Sequence, residues 1–246
     1  MTILVCITKT PDTTAPVRFS ADNKEYNPAG VAYILNPYDE WYSLVCALEL
    51  TEKHGGAVTV INVGPADNET LIRKALAIGA ADAIRIDANP SSALFVAKQI
   101  SGYAKDKGYD AIFCGKETID YNGAEVGPMI AELLDLPFLS FANHLELDGR
   151  KAKVSRDIEG GTEVVEVELP FVLSAAKDLA EQRIPNMMGI MKAKQKPLQV
   201  IPPAPFEDKA VIAVYETPPA KSSVRLIDPE NMDELVRLLH EEAKII

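Results

Sequence analysis

The run Gly115-Lys116-Glu117-Thr118-Ile119-Asp120-Tyr121-Asn122-Gly123-Ala124-Glu125-Val126-Gly127-Pro128 joins an apolar segment to a helix-forming one and mixes glycines with polar side chains. Backbone N–H groups at such a helix start can cradle a phosphate, because the first-turn amides are unpaired and the helix dipole favours an anion. The run has neither the Walker lysine pattern nor G-x-G-x-x-G. On its residues alone, a phosphate cradle and an ordinary turn-rich loop remain equally open. Acid–base chemistry is poorly served: His54 falls at a helix end, His144 in a hairpin and His240 in the terminal helix, so each reads as a surface residue. No G-x-S-x-G, H-E-x-x-H or Cys-Cys-His ligand set is present. Glu163, Glu166 and Glu168 alternate along one strand and read as a solvated face. Cys6, Cys46 and Cys114 suit neither a disulfide framework nor a zinc site, and each lies among apolar neighbours, as a small buried thiol does.

The elements that must position this loop alternate short apolar runs with amphipathic stretches over the first half of the chain. That pattern predicts β-α units around an open, mainly parallel sheet. Strands are expected at Ile3–Ile7, Val58–Val63, Ala83–Ile86 and Ala111–Cys114. Asn36 and Pro37 read as N-cap and first helical position of a helix carrying Trp41, Leu44, Val45 and Leu48 inward and stopped by Gly55-Gly56. Further helices are expected over Asp67–Ile78, with Gly79 as its stop, and around Ser92–Lys105. In an open parallel sheet ligands bind beyond the carboxyl ends of the strands. There Thr8–Thr14, Gly64-Pro65 and Gly115–Pro128 converge.

After Pro137 the texture becomes short and alternating, with turns at Asp148-Gly149 and Gly160-Gly161, which predicts an antiparallel hairpin extension over about residues 137–175. The chain then divides into an α/β domain, residues 1–196, and a proline-rich arm, residues 197–246, ending in a helix after Asp228-Pro229. Met232, Leu235, Val236, Leu239 and Ala243 form one stripe on that helix, which needs either its own domain or a partner chain to dock on. The chain has 246 residues, 47% of them hydrophobic, and a net charge of −11, which argues against a basic nucleic-acid binder. Its longest apolar runs are far too short to span a bilayer, and no secretory signal is read at Met1-Thr2, so a cytoplasmic protein is expected.

The block Val154-Ser155-Arg156-Asp157-Ile158-Glu159-Gly160-Gly161-Thr162-Glu163, continuing to Pro170-Phe171-Val172-Leu173-Ser174, resembles the signature of the electron transfer flavoprotein β-subunit family. The opening Ile3–Asp12, the segment Asn36-Pro37-Tyr38-Asp39-Glu40, the segment Lys74–Ala80, Gly115–Gly127 and Ile190–Lys194 follow in that family's order, so the resemblance covers nearly the whole chain. It implies an adenine-nucleotide α-hydrolase-like α/β fold in an α/β heterodimer whose FAD is held mainly by the α subunit. Electrons would come from acyl-CoA and related dehydrogenases, as in fatty acid β-oxidation, and pass to a quinone reductase at the membrane. The subunit itself would be a carrier and not an enzyme. The resemblance also implies AMP in this chain, at Cys6, Asn36, Pro37, Tyr38, Asp39, Val63 and Gly115 through Val126. It makes Arg183–Lys194 a recognition loop, with Arg183, Met187, Met188 and Met191 toward the dehydrogenases and Met187 as the apolar anchor. Methionine suits a surface that must meet several partners.

The nucleotide loop departs from the family's common form, which carries several aspartates followed by Asn-Gln-Thr-Gly. Here Val126 stands where a hydroxyl is expected and Glu125 where an amide is. Val126-Gly127-Pro128 and Pro11-Asp12-Thr13 look more like bifurcating members, which bind a second FAD in this cleft and oxidise NADH. That is the alternative to AMP. An adenine-nucleotide hydrolase, for which Asp120 and Glu125 are the only candidate acidic pair, and a monomeric nucleotide sensor are the readings from other classes.

Overall fold

The computed structural model describes residues 1–118, 121–208, 210, 212–220 and 223–246. Among these residues eleven strands and six α-helices follow in order: β1 Thr2–Cys6, β2 Lys9–Pro11, β3 Tyr33–Leu35, α1 Glu40–His54, β4 Ala57–Val63, α2 Glu69–Ile78, β5 Asp82–Ile86, α3 Ala93–Ala104, β6 Ala111–Gly115, α4 Val126–Leu134, β7 Phe138–Asp148, β8 Lys151–Ile158, β9 Gly161–Glu168, β10 Phe171–Ala175, α5 Met187–Ala193, β11 Leu198–Ile201 and α6 Met232–Arg237. A 3-10 turn, Ala66–Asn68, precedes α2, and a π-helical stretch, Leu238–Ala243, continues α6.

Nine strands form one sheet in the order β11-β5-β4-β1-β6-β10-β7-β8-β9, while β2 and β3 pair separately. From β11 to β7 the pairings are parallel, and β8 and β9 add an antiparallel meander. The inner strands read as continuous apolar runs because both faces are covered. Ile3 and Val5 face a core with Trp41, Leu44 and Leu76 of α1 and α2, whereas Leu4 and Cys6 face Ile100 of α3 and Ile130 of α4. Truncating a fully buried side chain such as Leu44 or Ile130 would leave a cavity costing about 2–5 kcal/mol. Strand β1 has β4 on one side and β6 on the other, so the chain's crossovers diverge at its carboxyl end, which opens the crevice where open sheets bind ligands.

The expected mainly parallel α/β sheet with a hairpin extension is therefore what forms, with several local corrections. Helix α1 is capped by Asp39, not Asn36, and Pro37 lies before the helix. The reason is competition: the Asn36 amide donates to the Glu117 carbonyl at 3.0 Å, while its oxygen accepts from the Tyr38 amide at 3.2 Å, leaving nothing for a cap. Helix α4 begins at Val126, so the last three residues of the run read as loop, Val126, Gly127 and Pro128, form its first turn. Phe171–Ala175, read as the tail of a hairpin region, is a parallel strand inserted between β6 and β7. Leu198–Ile201, read as part of an extended arm, pairs in parallel with β5 at the sheet edge. Residues 187–193, read as loop, form a helix capped by the Asn186 side chain, which accepts from Gly189 N at 2.8 Å. The terminal helix starts at Met232 behind an Asn231 cap, because Asp228 is engaged in the preceding turn. Among the described residues no helix is long and apolar enough to cross a membrane.

Candidate functional site

The crevice is built by the carboxyl ends of β1, β4 and β6 and the start of α1. Two carboxylates at that helix start are buried, Asp39 at 1% and Glu40 at 3% exposure, and both are spent on the neighbouring loops, Asp39 on backbone amides and Glu40 on the amide and hydroxyl of Thr8. Asp39 Oδ1 accepts from the Glu40 amide at 2.7 Å and Oδ2 from the Glu117 amide at 2.8 Å. Burial pushes its carboxyl up to about 6, against the pull of those two amides. Glu40 Oε2 accepts from Thr8 N and Oε1 from Thr8 Oγ1, each at 2.7 Å. One turn on, Ser43 Oγ donates to the Cys114 carbonyl at 2.7 Å.

The first two turns of α1 thus hold the chain as it leaves both β1 and β6. The peptide of Glu117 is gripped at both ends, its N–H by Asp39 and its C=O by Asn36. Gly115 is obligatory beside this grip: a Cβ there would lie 2.7 Å from Asp39 Cγ. The third loop is fixed by Asn62, which donates to Ile7 O at 2.9 Å and accepts from Asn68 Nδ2 at 3.0 Å. A Cβ on Gly64 would fall 2.0 Å from that Asn68 nitrogen. Arg85, 4% exposed, donates to Gly64 O at 2.9 Å and pairs with Asp87 at 2.6 Å and Glu69 at 3.2 Å, which satisfies a guanidinium that burial alone would penalise. Lys9 pairs with Asp67 and lies over the Tyr33 ring, 4.2 Å from its centroid.

The expected nucleotide residues fall around this crevice. Cys6 and Val63 end β1 and β4 as buried floor residues, and Asn36 and Asp39 are buried. Pro37 is half-buried and Tyr38 is exposed. Gly115, Lys116, Glu117 and Thr118 are half-buried, with Lys116 paired to Glu117 at 2.8 Å. Ile119 and Asp120 lie outside the described residues. Tyr121, Asn122, Gly123, Ala124 and Glu125 are exposed, and Asn122 and Ala124 take positive φ of 49° and 53°. Val126 is half-buried and opens α4, where, among the described residues, Glu125 as N-cap makes no side-chain capping bond. Gly127 packs against Phe138, whose ring a Cβ would meet at 2.9 Å.

Glu40, Ser43, Asn62, Asn68 and Arg85 are the site residues that sequence reasoning missed, and Thr8 was placed only as the start of a converging loop. The signal was a set of polar residues at inward helical or strand positions, such as Arg85 inside an apolar run. The thiols are structural: Cys6, Cys46 and Cys114 are buried, burial raises Cys46 to about 12, and a hydrogen bond with Cys114, together with burial, holds Cys6 in the thiol form. Away from the crevice, Arg183 is half-buried and makes two bonds to Glu52, at 2.7 and 3.0 Å, while Met187, Met188 and Met191 stand out from α5 at 64–75% exposure.

Residues 25–206 match the model of the electron transfer flavoprotein domain. The chain is 36% identical over 231 residues to electron transfer flavoprotein subunit beta of Bacillus subtilis (strain 168), covering 88% of this chain and 90% of that protein. It is 32% identical over 254 residues to the human protein of the same name, covering 99% and 98%. It is also 34% identical over 219 residues to acryloyl-CoA reductase electron transfer subunit gamma of Anaerotignum propionicum, covering 86% and 81%.

Proposed function

Because the chain belongs to the electron transfer flavoprotein β-subunit family, we propose that it is the β subunit of a heterodimer that carries electrons. In this reading it accepts them from acyl-CoA and related dehydrogenases and passes them to a quinone reductase at the membrane, in the cytoplasm. The Anaerotignum relative, an acryloyl-CoA reductase electron transfer subunit, supports acyl-CoA chemistry. FAD, held mainly by the α subunit, supplies the redox chemistry when bound.

The observation that carries the reading is that the crevice presents backbone rather than reactive side chains. Asn36, Asp39, Glu40 and Ser43 are all occupied in holding the loops. What this chain offers a ligand is the start of α4, where Glu125 spends no side-chain bond on the first turn, and the loop from Gly115. Neutral amides at a helix start suit the phosphate of AMP in a chain of net charge −11, so the donor set fits a structural nucleotide. Val126 and Gly127 N–H groups would hold the phosphate, with Tyr38 at the rim. The methionine face of α5 would meet the dehydrogenases.

Denaturing the copurified complex and quantifying released nucleotides tests this directly. One FAD and one AMP per heterodimer are expected. Two FAD and no AMP would replace the reading with the bifurcating, NADH-oxidising one, and steady ATP hydrolysis by the purified chain would replace it with a hydrolase.

A further inference from the structure

Asn68 occupies the N-cap position of α2, where an asparagine oxygen ordinarily accepts from its own first turn, and it makes no such bond. Its carboxamide turns instead to the carboxyl ends of the neighbouring strands, and one backbone group fixes which way round it sits. Ile7 O can only accept, so the Asn62 atom 2.9 Å from it is the donating Nδ2. Asn62 therefore turns Oδ1 toward Asn68, and the Asn68 atom 3.0 Å away is Nδ2. That sequence of bonds leaves Asn68 Oδ1 over: the atom is buried, and among the described residues no group donates to it.

Asn68 as a whole is 5% exposed. A buried amide oxygen without a donor is costly, and such groups are rare in folded chains unless something else completes the bond. The carboxamide lies against the end of β4 because residue 64 is glycine: a Cβ there would sit 2.0 Å from Asn68 Nδ2 and 2.9 Å from Asn68 Cγ. Gly64 follows Val63, the last residue of β4, so the unpaired oxygen belongs to the floor of the crevice.

Its place in the sheet says what can donate to it. Strands β4 and β6 flank β1, so their ends lie two strand spacings apart, about 9.5 Å. A phosphate at the start of α4 is on the β6 side, since a Cβ on Gly127 would meet Cys114 Cβ at 3.8 Å. The far end of a nucleoside monophosphate, its base, then falls at β4. We propose that Asn68 Oδ1 reads the base of the nucleotide in the crevice by accepting from an exocyclic amine, so that the site takes an aminopurine and rejects the corresponding oxopurine. This rests on the nucleotide reading above. An exocyclic carbonyl would set two acceptors against each other out of reach of water, which is how a buried polar group discriminates between close analogues.

The test is competition on the copurified complex, with labelled AMP displaced by unlabelled adenosine, deoxyadenosine or inosine monophosphate. Wild type should hold both adenine nucleotides at least tenfold more tightly than inosine monophosphate. Asn68→Ala removes the acceptor and should bring that ratio close to one. Asn68→Ser, whose side chain suits a helix start and so protects the fold, should do the same. The readout is the ratio, because loss of the bond to Asn62 alone would loosen the loop and weaken all three nucleotides alike. Wild type that holds inosine monophosphate equally well, or that discriminates through the ribose hydroxyl and not the base, overturns the proposal. So does a folded variant that keeps the tenfold ratio. A complex that releases neither AMP nor a second FAD on denaturation would overturn the nucleotide reading itself, before any bases are compared.

Discussion

Asp39 is a carboxylic acid held in a buried environment that disfavours its charged form. In the folded chain its carboxyl titrates at about 6 against 3.8 for the free group, and burial is the main cause. The folded state therefore binds its proton more tightly than the unfolded state does. The stabilisation this proton brings is complete below about pH 3.8 and is lost as pH rises through about 6. Two units correspond to at most about 3 kcal/mol. Denaturant midpoints of wild type, measured relative to Asp39→Asn, should fall as pH is raised from about 4 to about 7; a flat difference would show that Asp39 ionises normally. Asn36→Ala removes the grip on the Glu117 carbonyl, worth about 1 kcal/mol as a buried hydrogen bond, and leaves that acceptor unpaired. The proposed nucleotide should then be lost on dialysis before FAD is; AMP retained at full stoichiometry would detach Asn36 from the site. The sequence pointed to both residues but not to what they do. An asparagine before a helix can cap it or fold back on its own turn, and the choice depended on Glu117, 81 residues away.

At the scale of elements, α5 shows why some structure escapes the sequence. Seven residues are too few to form a helix unaided. Contacts from elsewhere hold it: Gly189 lies so close to α2 that a Cβ would sit 2.5 Å from Ala77 O, and Arg73 donates to Ala193 O and Lys196 O at 2.8 and 2.7 Å. The exposed methionines are thus carried on a braced helix. Met187, at 75% exposure, contributes nothing to the chain's own core. Met187→Ala should raise the apparent KM for this protein in a dehydrogenase-coupled assay tenfold or more, about 1.4 kcal/mol, with flavin spectrum and Tm unchanged. An unaltered KM would remove Met187 from recognition. Gly189→Ala should raise KM as well, but through displacement of the helix, so hydrogen exchange in α5 should increase in that variant and not in Met187→Ala. Helices α1, α2 and α3 were legible because each is long, periodic and stopped or capped by local residues such as Gly55, Gly79 and Ser92.

At the scale of the whole molecule, the parallel sheet was legible from its apolar runs, whereas β10 and β11 were not. Each is only four or five residues long and lies inside a segment whose texture belongs to something else, hairpins for one and prolines for the other. The arm shows a similar mixture. Its first part is fastened to its own domain: Gln99 exchanges two bonds with Ala204, at 2.9 and 2.7 Å, Asp208 accepts from Ser91 and Ser92 at 2.8 Å, and Tyr215 stacks on Phe19 with ring centroids 4.7 Å apart. Beyond Tyr215 the balance reverses. Val224, Leu226, Met232 and Val236 are 54–89% exposed, while Arg237 pairs with Glu234 and Glu241 and Arg225 with Glu234 on the same terminal segment. That segment pairs its charges among themselves, buries Leu238, half-buries Leu235 and Leu239, and leaves Val224, Leu226, Met232 and Val236 for another surface. Burying each such side chain is worth about 1.5–3 kcal/mol, so the stripe outweighs the exposed ion pairs as a source of binding. Deleting Asp228–Ile246 should therefore weaken heterodimer formation at least tenfold while leaving the protection of the central strands intact. If the truncated chain instead binds its partner with full affinity, the terminal helix is a clasp on its own domain, and the apolar stripe has no role between subunits.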